Sequence, residues 1–309
     1  MKIENGVLIL EGESVITNQF KGDEELVEAV IPVGVKRIEN EAFMECESLK
    51  RVALPEGLEY IGENAFRGCE RIEEIEVPDS VVSIGEGAFC GCESLKYLIL
   101  PKGLKVVPDA LCYCCFNLIG ITIPEGVKEI GKESFSACWG LQRVALPSNL
   151  EKIGEQAFCG CRELDGVVLP QTLTDIGDGA FLDCFGLTRI EIPKGIKSLG
   201  DSTFGGCCEL GVVVLNEGLL DLGRNAFSGC RELYDIRLPK SLKSIGDYAF
   251  EYCVRLERIF IPKGVEYMGF CVFWEDHVDV YCEAEQQPKG WDEGWCCSIV
   301  TYSWGNKGE

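Results

Sequence analysis

Ten cysteines, Cys46, Cys69, Cys92, Cys115, Cys138, Cys161, Cys184, Cys207, Cys230 and Cys253, follow one another at intervals of 23 residues without an insertion. Other positions keep the same beat. A phenylalanine stands three residues before most of these cysteines, a Leu or Ile three after, and a proline nine after. A unit this short cannot bury its own apolar face, so neighbouring units must stack to make a core, and the chain is predicted to be a solenoid. A globular chain of 309 residues would ordinarily make one or two domains. The unbroken period predicts one elongated solenoid domain over 1–309 instead, with a cap and first partial repeat at 1–25, repeats over 26–275 and a C-terminal cap at 276–309.

Residues 43–66 serve as a specimen unit: Phe43, Cys46, Leu49, Val52, Leu54-Pro55, Gly57-Leu58, Ile61-Gly62 and Ala65-Phe66. Val52 and Leu54 alternate with Arg51 and Ala53, the period of a strand with one face buried. Pro55 lacks the N–H that a ladder needs and closes that strand. Gly57 suits the turn that follows, Leu58 and Ile61 return as a second short extended piece, and Gly62 turns the chain again. A short helical or 3-10 stretch is then expected to carry Ala65, Phe66 and Cys69 inward. The unit at 108–112 departs from the pattern, reading Pro-Asp-Ala-Leu-Cys, with Leu111 in the Ala slot and Cys112 in the Phe slot. That exchange roughly conserves volume and reads as a compensated core swap.

The pattern Leu-x-x-Ile-x-Leu-Pro-x-x-Leu-x-x-Ile-Gly-x-x-Ala-Phe-x-x-Cys, in phase over roughly 15–275, resembles the BspA-like leucine-rich repeat family. The terminal segment with Tyr281-Cys282-Glu283, Pro288, Gly290-Trp291-Asp292 and Trp304-Gly305 is similar to that of bacterial members. The resemblance implies an α/β-type solenoid of about 11–12 units: a right-handed coil with a parallel β-sheet on one face and short strands and turns on the others. It also implies interaction roles, often at bacterial surfaces. The stretch Val7–Leu10 is the only apolar run near the start, shorter than the ~7–15 residues of a secretory core or the ~20 of a membrane span. Without a signal, span or anchor, the expectation is a cytoplasmic monomer; the alternative is a surface adhesin or carbohydrate-binding protein exported by another route.

Lys plus Arg number 29 against 51 Asp plus Glu, a net charge of −22. Nucleic acid demands a cationic stripe to displace counterions from phosphate, and no such run exists. An anionic lipid surface is disfavoured for the same reason. Nineteen cysteines would suggest disulfides in a secreted chain. Here the periodic ten point inward in parallel, poorly aligned for the bond's dihedral, and free Cys buries readily, so all 19 thiols are expected to be reduced. Cys90-Gly91-Cys92 and Cys112-x-Cys114-Cys115 could gather sulfurs, but the paired spacing of a zinc knuckle is missing, and neither a metal nor another cofactor is expected.

No catalytic constellation emerges. His277 is the only histidine, beside Glu275 and Asp276 after the last full repeat, and reads as a cap residue. Gly85-x-Gly87 and Gly177-x-Gly179 occupy turn positions without a Gly-Lys-Ser/Thr ending. Trp274, Trp291, Trp295 and Trp304 could stack sugars, but the last coil of a solenoid must be closed, and the cap is preferred.

The surface expected to carry function is the outward row of the strands. Stacking would gather Tyr97, Ile99, Thr122, Arg143, Ala145, Val168, Arg189, Val212 and Val214 on one side, with room beside them at Gly120 and Gly166. Apolar residues joined by Tyr and Arg are the composition of binding hot spots, while exposed Val, Ile and Thr also simply favour strands. The chain is therefore expected to be a non-enzymatic scaffold that binds a protein partner of unknown identity through this face.

Overall fold

A computed structural model describes residues 2–4, 6–9, 14–274, 277–297 and 301–306. The chain is a parallel-sheet β-solenoid of about 12 turns, with almost no helix among the described residues. Its residues cluster into two compact units, Met1–Leu150 with Gly160–Arg162, and Glu151–Cys159 with Glu163–Glu309.

In the first unit a hairpin, Lys2–Glu4 antiparallel to Val7–Ile9, opens the sheet that continues in parallel through Glu28–Val30 and Arg51–Ala53. Glu74–Glu76, Tyr97–Ile99, Gly120–Thr122 and Arg143–Ala145 make the next sheet. Shorter strands, from Val15–Ile16 to Glu129–Ile130, stack on a second face. In the second unit the long strands are Arg189–Glu191, Val212–Val214 and Asp235–Ile236, then Arg258–Ile261, Asp279–Cys282 and Thr301–Ser303. Its short row runs from Lys152–Ile153 to Tyr267–Met268. The sequence period becomes the register: Tyr97 lies beside Gly120, and Arg189 beside Val212.

The stretch expected to be helical after each Ile-Gly is a run of turns. Among the described residues the only helix is the 3-10 turn Asn18–Phe20. Each turn segment instead places two residues in the left-handed region, such as Glu41 (φ 58°) and Glu45 (φ 60°), Glu133 (φ 53°) and Ala137 (φ 58°). That geometry points alternate N–H groups at the next coil, as in Phe43 N–H to Ala65 C=O at 2.7 Å and Phe66 N–H to Ala88 C=O at 2.8 Å. A helix would have turned those groups inward on itself. The glycine that precedes these turns has a different reason from the expected one. At Gly85 a Cβ would lie 2.4 Å from the backbone nitrogen of Glu63, so only the absence of a side chain lets successive coils touch.

Ala65, Phe66 and Cys69 are fully buried, as are their counterparts along the chain. The phenylalanine rings stack face to face, with centroids 5.2–5.8 Å apart from Phe20 to Phe89 and 5.4–5.7 Å apart from Phe158 to Phe273. Leu111 and Cys112 interrupt the series and are both fully buried. The periodic cysteines do more than fill space. Each of the ten donates its thiol proton to the carbonyl in the Phe slot one coil back, at 2.9–3.3 Å, from Cys46 on Phe20 to Cys253 on Phe227. An alanine or valine would leave those buried oxygens with less than their capacity. Burial pushes the thiols up, Cys46 to about 11 and Cys69, Cys92, Cys138, Cys207 and Cys230 well above the ordinary thiol value, which keeps them protonated as donors.

Candidate functional site on the sheet face

Strand alternation builds the candidate surface. Leu98 and Leu100 point into the core, while Tyr97 and Ile99 stand 56% and 55% exposed on the other face. Register then collects neighbours: Tyr97 sits beside Glu74 and Gly120, Gly120 beside Arg143, and Thr122 beside Ala145. Five of the nine expected residues, Tyr97, Ile99, Thr122, Arg143 and Ala145, thus share one four-stranded sheet of the first unit. The other four belong to the second unit. Arg189 pairs with Val212, and Glu191 with Val214; both valines are half-buried. Val168 is 86% exposed in a segment that forms no strand. A Cβ at Gly166 would meet nothing within 4 Å, so that side of Val168 is open.

The charges on this face differ from those elsewhere. Along the coil edges, cations pair with acids one repeat away, as in Lys36–Glu59 (2.9 Å), Lys96–Glu73 (2.8 Å), Arg224–Asp247 (3.1 Å) and Lys243–Glu266 (3.0 Å). Arg143 and Arg189 are exposed and form no ion pair among the described residues. Every cation in the outward rows from Arg51 to Phe260 is an arginine: Arg51, Arg143, Arg189, Arg237 and Arg258. The sequence held this signal, a bias toward the guanidinium fork that grips carboxylates in two places.

Several aromatic residues away from the sheet face are already engaged. Trp291 and Trp295 are buried at the end of the array, with Trp291 Nε1 donating to the Val265 carbonyl at 3.1 Å and Trp295 lying edge-on to Phe273. Trp139 is exposed, yet its ring already stacks on Phe116 at 4.1 Å and carries the Arg162 guanidinium at 4.7 Å.

One expectation about the thiols is overturned. Cys271 and Cys297 form a disulfide, and 17 cysteines are free. Neither partner belongs to the periodic ten. Cys271 occupies a left-handed turn position (φ 47°), and residues 291–297 lay a further partial coil against it through Cys271 N–H to Gly294 C=O and Val272 N–H to Trp295 C=O, both at 2.9 Å. The bonded pair is 26 residues apart, so the argument against parallel thiols one repeat apart does not reach it. Among the described residues no group of three or more Cys, His, Asp or Glu is placed to hold a metal ion, and no helix is long and apolar enough to cross a membrane.

No curated protein matches this chain. Several solved structures share its fold. A leucine-rich repeat protein from Bacteroides ovatus aligns with a TM-score of 0.65 at 24% identity, covering 92% of this chain and 85% of that one. One from Eubacterium ventriosum gives 0.60 at 22%, over 87% and 80% of the two chains. A leucine rich cell surface protein from Faecalibacterium prausnitzii gives 0.55 at 23%, over 98% and 91%. At these identities the likeness is one of fold. The sequence profile of the BspA type leucine rich repeat region matches residues 13–141, 105–218, 128–254 and 207–279, and with the 23-residue register now seen in the stacked strands, the chain belongs to that family.

Proposed function

We propose that this chain is a non-enzymatic scaffold that binds a protein partner through the outward face of its long strands. The observation that carries the reading is the pairing of exposed apolar side chains with uncommitted arginines: Tyr97 and Ile99 near Arg143 in one unit, Val168 and Arg189 in the other. A protein with a net charge of −22 keeps its other surfaces soluble and repelling, which leaves this face as the place where desolvation is cheapest. The apolar residues supply buried area on binding, and the guanidinium groups supply direction toward carboxylates of the partner. The test is capture of partners from a lysate of the organism that makes the protein, followed by affinity measurement with the purified partner. The variant Tyr97→Ala/Arg143→Glu/Val168→Asp, with an unchanged melting profile, is expected to bind at least tenfold more weakly. Retention of every partner at unchanged affinity would refute the sheet face as the binding surface.

A second reading, display at the cell surface, is favoured by the Cys271–Cys297 disulfide, since such bonds persist in oxidising compartments. Trypsin shaving of intact cells separates it from the cytoplasmic reading: release of peptides from this chain supports display, and complete protection removes it.

A further inference from the structure

The strand ladder of the second unit is interrupted at several places, one of them between the coils at 165–169 and 188–191. No backbone hydrogen bond joins Asp165–Leu169 to Thr188–Glu191, whereas the following pair of coils is held by Gly211 N–H to Thr188 C=O (3.0 Å) and Ile192 N–H to Val214 C=O (2.9 Å). At the opening lies a cleft of about 540 Å³ lined by Asp165, Gly166, Val168, Gln171, Arg189 and Glu191 among others. A second cleft of about 630 Å³, lined by Glu209, Gly211, Arg231, Glu232 and Tyr234, adjoins it, and Thr188 borders both. Either volume is in the range of small-ligand sites.

Two glycines hollow the surface. Gly166 has empty space where a side chain would stand. Gly211 lets the exposed Tyr234 ring settle beside the backbone, since a Cβ there would come within 2.9 Å of Cε1. The lining mixes acceptors and donors. Asp165, Glu191 and Glu209 line the clefts together with Arg189 and Arg231, Glu232 is already tied to Arg255 at 2.9 Å, and the unlinked strand edges add backbone groups of both kinds. A simple ion would satisfy one sign of charge and be opposed by the other. An apolar peptide side chain would strip water from these groups and return no hydrogen bonds. Hydroxyl groups both donate and accept, and the C–H face of a sugar ring packs on an aromatic ring.

We propose that these adjoining clefts bind a neutral oligosaccharide, with Tyr234 as the platform and Asp165, Thr188, Arg189, Glu191 and Arg231 as hydroxyl partners. The site goes beyond the protein-binding reading and can hold or fail independently of it. The test is calorimetric titration of the full chain with cellotetraose, xylotetraose, maltotetraose, mannotetraose and chitotetraose. At least one is expected to bind, with affinity reduced tenfold or more in Tyr234→Ala, abolished in Gly166→Trp and unchanged in Tyr97→Ala. Gly166→Trp enters open space, and a matching thermal melt with wild type separates a blocked cleft from a damaged fold. Absence of binding to all five sugars, undiminished binding in Tyr234→Ala and Gly166→Trp, or a peptide ligand that occupies the cleft while every sugar is ignored would each overturn the proposal. Sugar binding intact while the sheet-face variant retains every protein partner at unchanged affinity would count against the scaffold reading alone.

Discussion

The turn side of each coil and the strand side behave differently, although both repeat every 23 residues. On the turn side the inter-coil bonds recur coil after coil: Phe89 N–H to Leu111 C=O, Phe181 N–H to Thr203 C=O, Phe204 N–H to Ala226 C=O and Phe250 N–H to Val272 C=O all lie at 2.9–3.0 Å. On the strand side the corresponding bond depends on the residue that ends the strand. Ile31, Val77, Ile123 and Ile192 donate to the next coil at 2.9–3.0 Å, while Leu54, Leu100, Leu169, Leu215 and Leu238 make no such bond among the described residues. Branching at Cβ restricts χ1 and favours the extended backbone that a ladder requires; leucine, branched one carbon later, does not. The invariant side carries the stability of the stack. The variable side can open locally, and one such opening, at Leu169, borders the first of the two clefts.

The largest blow to the invariant side is alkali. Cys46, Cys69, Cys92, Cys138, Cys207 and Cys230 sit above their ordinary value of 9.0 when folded. From that pH upward the unfolded chain releases protons that the folded chain keeps, so folding loses stability by about 1.4 kcal/mol per pH unit for each such thiol. The contribution is fully present below pH 9.0 and is lost toward about 11 for Cys46, and for the others as the pH rises through their own raised values. Urea titrations at stepped pH should show a steep fall above 9.0 that becomes shallower in Cys69→Ala. A flat profile would mean that the thiols are not buried donors.

Removing one ring is the next effect in size. Phe204 is fully buried between Phe181 at 5.5 Å and Phe227 at 5.7 Å. Phe204→Ala should cost ~3–5 kcal/mol through lost burial and a cavity. A change under ~1 kcal/mol in chemical denaturation would contradict a shared core load.

Leu215→Ile and the reverse exchange Ile192→Leu sharpen the comparison directly. The first should gain, and the second lose, about 1 kcal/mol, the net value of one backbone hydrogen bond. Hydrogen exchange at the amide of residue 215 or 192 reads the same change locally. If both exchanges leave exchange rates unaltered, Cβ branching is not what closes the ladder. Smallest is the relief of a left-handed residue: Ala137→Gly (φ 58°) should add ~0.5 kcal/mol, offset in part by the freer unfolded chain.

Much of the fold is legible from residue types. Phe, Cys, Leu and Pro at fixed offsets announce the coil, and alternation around Val52 and Leu54 separates core from face. The turns were harder. Glu41, Glu45 and Ala137 have no chemistry that marks a left-handed residue, and only the stacking of coils, which rewards each outward-pointing N–H with a carbonyl, holds them there. The disulfide was hidden for a related reason. Cys271 and Cys297 lie off the repeat, and their meeting depends on how residues 291–297 add a partial coil.

The outward row was legible as a list, and Tyr97, Ile99 and Arg143 do face solvent in register. The clefts beside Gly166 and Gly211 were not, because a cleft depends on how segments a full repeat apart sit against one another. The sequence by itself determined the period, the buried set and the side on which each strand residue falls, since these follow from local alternation and from the need of short units to bury one another. Tertiary structure alone decided which ladders close, which thiols meet, and why Gly85 must be glycine, because each of these depends on distances between coils that no single coil contains.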